Sequence, residues 1–274
     1  MTAARAALRY AVLAVLAVIF VLPIAWAVLY ALKSNDEALA FRIGILPRHW
    51  EWGNFRRALT LIDYRHYLVN SLVLAVIYSS LVTATSALVG FGFARFDARG
   101  RNALFAIVLG TMMLPQIITV IPTYVLFSRV GIIDTYYPWI LWGLGASPFL
   151  TFLFRQFYRT LPRELEEAAL LDGAGYLRIF RSIFLPLSRP VLATSLVLSF
   201  TWVWGDFFAP AVFLSPSHTT LAVAMANGYI DAQGRLLPHV LAAGVLFYVL
   251  PVLFLFVVAQ RAFVQNLAAS GLKG

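Results

Sequence analysis

Few residues in this chain have the types and spacing that catalysis needs. There are no cysteines, which excludes disulfides and thiolate metal or redox sites. The four histidines, His49, His66, His218 and His239, lack the spacing of a metal site. Neither Lys33 nor Lys273 follows a Gly-x-x-x-x-Gly pattern, so the chain carries no phosphate-cradling loop. What stands out is a charged stretch holding Glu164, Glu166, Glu167, Ala168, Ala169, Asp172 and Gly173, followed by Leu185 and Pro186. Its chemistry is electrostatic and conformational: carboxylates near the positive end of a helix, then a glycine that stops it.

The elements that must position this stretch are apolar. With 61% hydrophobic and 12% charged residues and a mean hydropathy of +0.83, the chain is a polytopic membrane protein rather than a soluble domain. The expected fold class is all-α, with six transmembrane helices at residues 10–32, 68–94, 102–128, 135–154, 190–213 and 239–260 in a single transmembrane domain. The first run is too long for a signal-peptide core and reads as retained. Residues 33–67 and 214–238 read as external loops, the first with room for one short helix. Residues 155–189 form the long charged connector. Residues 207–230 are also uncharged, but Pro210 and the cluster Ser215, Pro216, Ser217, His218, Thr219 and Thr220 argue against a further span. The net charge of +9 is read through its distribution, as topology rather than nucleic-acid binding. With both termini in the cytoplasm, 13 Lys and Arg lie inside and 8 outside, which puts 155–189 on the cytoplasmic side of the membrane.

Within that connector, Pro162 suits the first turn of a helix, and Gly173 ends it where a left-handed residue is needed. Beyond it, Tyr176, Leu177, Phe180, Ile183 and Phe184 fall on one helical face and Arg178, Arg181 and Ser182 on another, until Pro186 breaks the run. The result is two short amphipathic helices around a glycine elbow. Such a unit is either a surface-lying connector between spans or a docking element for a partner's cleft.

The order Glu-Ala-Ala, three residues, Gly, nine residues, Ile, any residue, Leu-Pro, met at Glu167, Ala168, Ala169, Gly173, Ile183, Leu185 and Pro186, resembles the signature loop of bacterial ABC-importer membrane subunits. More narrowly, the chain is similar to the carbohydrate-uptake permeases that include the maltose importer, in particular its six-span partner. Looser support comes from Asn70-Ser71-Leu72, Leu114-Pro115, Leu161-Pro162, Trp204-Gly205-Asp206-Phe207, Thr220-Leu221 and the tail; Gly205 departs from the family's frequent Asn. The resemblance implies that Tyr176, Leu177 and Phe180 plug a cleft on an ATPase, that Glu167 and Asp172 pair with or cap groups beside it, and that Leu272, Lys273 and Gly274 make a second contact. It also implies a second related permease, two copies of the ATPase carrying ATP and Mg, and an external sugar-binding protein, with no cofactor in this chain and the lipid bilayer around it.

A solute path is expected near the midplane, where helices break and polar groups face inward. The candidates are Asn70, Tyr78, Pro115, Gln116, Trp202, Trp204 and Asp206. Aromatic faces and a carboxylate suit a sugar, while Trp202 and Trp204 equally fit an interfacial belt. Asn227, Gly228 and Tyr229 are the expected contact with the binding protein. Two rival classes are an ion-coupled secondary transporter or channel, and a membrane enzyme. The near absence of charge within the spans disfavours the first, and the lack of a metal or nucleophile constellation the second.

Overall fold

The computed structural model describes residues 3–40 and 44–270, without the side chains of 3, 4, 116 and 261–270. Among the described residues every regular element is helical, and the only strand-like pairing is an isolated bridge between Ile230 and Leu236. In chain order the helices are α1 (Ala3–Ala31), α2 (Asn35–Leu39), α3 (Gly53–Thr60), α4 (Tyr64–Arg95), α5 (Arg101–Gly110), α6 (Gln116–Val130), α7 (Tyr137–Leu144), α8 (Pro148–Arg159), α9 (Glu164–Leu171), α10 (Tyr176–Ile179), α11 (Leu185–Leu187), α12 (Arg189–Trp204), α13 (Phe208–Phe213), α14 (Leu221–Gly228) and α15 (Pro238–Ser270).

Among the described residues three stretches are long and apolar enough to cross a membrane unbroken: Arg5–Ala31, Tyr64–Arg95 and Pro238–Gln260. Two bent pairs raise that to five: Arg101–Met113 with Ile117–Val130, at 100°, and Tyr176–Leu187 with Arg189–Trp204, at 80°. The sequence-expected third span, 102–128, is therefore two helices meeting at Pro115, which lacks the N–H that would continue the ladder. Pro122 lies inside α6 without ending it. The fourth, 135–154, divides into α7 and α8 around Ala146, whose φ is +57°. There Ser147 caps α8, its Oγ accepting from Leu150 N–H, with Pro148 in the first turn. The fifth, 190–213, ends as a helix at Trp204 and resumes at Phe208. The segment 33–67 carries two short helices and the start of α4 rather than one, and 214–238 carries α14.

The chain folds as two compact units: residues 1–67 with 223–251, and residues 68–222 with 252–274. In the first, Asn54 Nδ2 donates to the carbonyls of Ala31 and Lys33, pinning α3 beneath the end of α1, and the Phe247 ring meets Phe55 and Tyr64 edge-on. Most of α1 is exposed: Leu8, Val15, Ile19, Phe20 and Leu22 are all more than half accessible, a surface that in this composition faces lipid or another membrane chain. In the second unit the inner part of α4 packs on α7 and α8. Thr85 Oγ1 donates to the carbonyl of Gly143 at 2.8 Å, and Gly90 lies so near α8 that a Cβ there would fall 2.6 Å from Phe154 Cβ.

Candidate functional site

The close approach at Gly90 positions everything that follows. It lets Ala87 and Phe91 on α4 meet Phe154 and Tyr158 on α8, and against that wall pack Ile179, Phe180, Phe184 and Val191. Phe91 lies 4.9 Å from Phe184, 5.3 Å from Phe180 and 6.1 Å from Tyr158, ring centre to ring centre. Arg95 closes the end of α4. Its Nη2 donates to the carbonyls of Tyr158 and Leu161, Nη1 stands 3.8 Å from Glu166 Oε2, and the guanidinium lies 4.7 Å over the Phe184 ring. The Tyr158 carbonyl lies in the last turn of α8 and the Leu161 carbonyl two residues beyond the helix end, where the dipole favours a cation.

The charged stretch is built on this anchor. Glu164, Glu166 and Glu167 occupy the first turn of α9, beside its positive end; Pro162 falls just before the helix rather than in its first turn. The helix stops in a Schellman closure: Gly173 N–H donates to the Leu170 carbonyl at 3.0 Å and Ala174 N–H to the Ala169 carbonyl at 2.9 Å, with Gly173 at φ +79°. The expected glycine elbow is thus present, with Gly175 preceding α10.

Two expectations for the second helix are corrected. Pro186 does not break it. The segment Phe180–Phe184 is a π turn, Leu185 N–H reaching back to the Phe180 carbonyl, and α11 carries the run through Pro186 to Leu187. The wider turn opens the ladder where the proline ring would otherwise strike the carbonyl four residues back. The break falls at Ser188, fully buried, whose Oγ donates to the Phe184 carbonyl at 2.6 Å, with Pro190 in the first turn of α12. Phe180, expected beside Tyr176 and Leu177 on a free apolar face, is instead buried in the core, because Phe91 supplies an aromatic wall from another helix.

The outward face keeps the rest. Leu171 is 90% exposed, Leu177 57% and Tyr176 45%, while Glu167, Ala168, Asp172 and Pro186 are exposed and Ala169 and Leu185 half-buried. Among the described residues neither Glu167 nor Asp172 has an ion pair within the chain. An open cavity of about 370 Å³ lies beside this face, lined among others by Asp97, Arg163, Glu166, Glu167 and Tyr176. The Tyr176 ring meets Phe96 at 4.8 Å across its edge.

The other candidate residues are only partly brought together. Tyr78 and Asp206 are half-buried and close enough to interact electrostatically, and Asp206 Oδ1 accepts from Ala209 N–H at the start of α13. Asn70 Nδ2 donates to the Thr219 carbonyl, Pro115 is exposed at the bend between α5 and α6, and the Gln116 side chain lies outside the described ones. Trp202 is exposed, but Trp204 is buried and stacks on Phe200 at 5.5 Å, so it lines neither an open path nor a lipid interface. Tyr229 is also corrected: it is 1% exposed, its hydroxyl donates to the Ala58 carbonyl at 2.7 Å, and Gly244 makes room for it, so it fills a core rather than meeting a partner. Beside it Asn227 is exposed, while Gly228 lies against Ile62. Leu272, Lys273 and Gly274 lie outside the described residues.

Sequence reasoning missed the Arg95 hub, counting that residue only as one positive charge at the end of an apolar run. It also missed a clasp in which Asp134, at φ +60°, accepts from Ser215 N–H at 2.7 Å and pairs with His218 Nδ1 at 3.0 Å. The Ser215 hydrogen bonds, and then His218, hold the Asp134 carboxyl below the usual carboxylate range.

A family model described as "Binding-protein-dependent transport system inner membrane component" matches residues 86–268, a range that contains the whole charged stretch and its anchor. The maltodextrin transport system permease protein of Bacillus subtilis is 32% identical over 269 residues, covering 97% of this chain and 95% of that one. The diacetylchitobiose uptake system permease protein of Streptomyces coelicolor is 30% identical over 258 residues, 93% of this chain and 85% of its own. Among solved structures, a bacterial ABC transporter involved in the import of the acidic polysaccharide alginate has a chain of similar fold, with a TM-score of 0.77 at 21% identity over 93% of this chain and 95% of that one.

Proposed function

From a chain that belongs to the binding-protein-dependent transport system inner membrane components, we propose a membrane permease subunit of an ATP-driven sugar importer, in which residues 164–187 take the thrust of a separate ATPase. The names of relatives point to the cargo: maltodextrin, diacetylchitobiose, galactooligosaccharides and arabinooligosaccharides are what those proteins' systems carry, so a di- or oligosaccharide is the class proposed here.

One observation carries the coupling role. The helix, elbow and helix from Glu164 to Leu187 are fastened on one side to a dense aromatic core, and on the other present Leu171, Tyr176 and Leu177 beside the exposed carboxylates of Glu167 and Asp172. Apolar side chains held on a rigid base fit a partner's cleft, because only a stiff contact transmits a difference in binding energy between two states. In this reading the stretch and both termini lie in the cytoplasm of a cell bounded by an inner membrane. ATP and Mg bind the partner ATPase, present in two copies, a second related permease completes the path, and a binding protein delivers the sugar from outside. Tyr78 and Asp206 are the pair most suited to touch the sugar, Asn227 belongs to the surface facing the binding protein, and Leu272, Lys273 and Gly274 make the second ATPase contact.

The test is purification of the chain with its neighbours from detergent. The expected result is co-purification of an ATPase whose hydrolysis rises with sugar-loaded binding protein. Transport by the purified chain alone, driven by an ion gradient, would overturn the proposal.

A further inference from the structure

We infer that Arg95 is the positioning residue that makes the end of α4 move with the coupling unit, so that the ATPase stroke enters the membrane through α4 as well as through α8 and α12, the helices the chain joins to the unit. The inference rests on the coupling role proposed above. By chain connectivity the unit continues into α8 through residues 160–163 on one side and into α12 through the 80° bend at Ser188 on the other. Nothing covalent joins it to α4, so any motion reaching that helix must cross the contact between them.

That contact has two parts with different mechanical properties. The aromatic part, Phe91 against Phe180 and Phe184 and Phe96 against Tyr176, is attractive but weakly directional, and rings can slide while keeping their area buried. The Arg95 part is directional. Its planar fork reaches several elements at once: the Tyr158 carbonyl in the last turn of α8 and the Leu161 carbonyl just past it, 2.6 and 2.7 Å away, Glu166 on α9 and the face of Phe184 in the second helix. Both charged side chains are shielded, Arg95 with 4% and Glu166 with 12% of the side chain accessible, so screening by salt is small. By contrast the neighbouring Asp97–Arg163 pair, at 3.9 Å, is mostly exposed and contributes little. A lysine carries the charge but cannot bridge the same set of acceptors from one point, and a methionine keeps the stem over Phe184 but no donor.

The experiment uses the assembled importer in lipid vesicles. Because the chain has no cysteine, spin labels can be set at Arg99→Cys, just past α4, and at Arg181→Cys, on the coupling helix; both positions are exposed. With Arg95 present, the distance between labels stays the same with and without trapped ATP. In Arg95→Met it shifts or splits on ATP trapping, and uptake falls roughly tenfold while the ATPase still co-purifies. Arg95→Lys behaves like Arg95→Met and does not rescue, which separates a positioning role from a need for positive charge; it also serves as the readout if Arg95→Met does not assemble. A label distance that already changes with ATP in the native background overturns the inference. So does an unchanged distance or undiminished uptake in the Arg95 variants. If the unsubstituted chain retains no ATPase, the coupling proposal fails and this one with it.

Discussion

Two glycines on α4, two residues apart, should respond in opposite directions to the same substitution. At Gly90 an added Cβ would stand 2.6 Å from Phe154 Cβ and 3.1 Å from both Arg155 N and the Thr151 carbonyl oxygen. These are backbone atoms and a Cβ, not the ends of flexible side chains, so relief requires α8 as a whole to back away from α4. Overpacking of this kind costs about 1–3 kcal/mol, against which the gain from removing a helix glycine offsets at most about 1 kcal/mol. At Gly92 the new methyl would meet only Phe96 Cδ2, at 3.9 Å, an ordinary contact, so Gly92→Ala keeps the gain without the clash. The assay is thermal unfolding of each purified variant in detergent, followed by near-ultraviolet signals from the aromatic core. Gly90→Ala should lower the midpoint by a few degrees, and Gly92→Ala should match or exceed the parent. Equal midpoints for the two variants, or a stable Gly90→Ala, would refute the close α4–α8 packing on which the site is built. Because the gap left by a retreating α8 would also pull the Tyr158 and Leu161 carbonyls from Arg95, Gly90→Ala should reduce uptake as well.

Gly173→Pro removes the N–H that donates to Leu170 and forces φ away from +79°, and Glu167→Lys reverses an exposed charge; uptake assays should find both inactive with membrane insertion unchanged. Tyr229→Phe strands the buried Ala58 carbonyl and should destabilise by about 1–3 kcal/mol in a melt, whereas Asn227→Ala, exposed two residues away, should leave stability unchanged. The Asp134 carboxyl, whose pKa is lowered on folding, stabilises its clasp fully above the unfolded carboxylate pKa of about 3.9 and loses that effect as pH falls through the folded value. The protection of the Ser215 amide from hydrogen exchange, measured relative to the intrinsic rate at each pH, should therefore hold from neutral pH down to that range and fall below it, and Asp134→Asn should remove that fall.

The membrane character, the all-helical class and the helix–glycine–helix design of residues 164–187 were legible in the sequence, because composition, apolar run length and glycine placement act locally. Spacing alone also carried the family resemblance. What residue order left open was decided by contacts between distant segments. Phe180 and Tyr176 lie on the same apolar stripe, and only the arrival of Phe91 from α4 buries one and leaves the other out. The run through Pro186 depends on a π turn that no local propensity announces. Trp204 and Tyr229 look like surface aromatics until Phe200, Ala58 and Gly244 enclose them. Arg95 reads as one more positive charge in a topology count, because its role lies in acceptors about 63 to 71 residues further along the chain. Periodicity tells a helix which faces it has, and tertiary packing alone chooses which of them meets the protein and which is left for a partner.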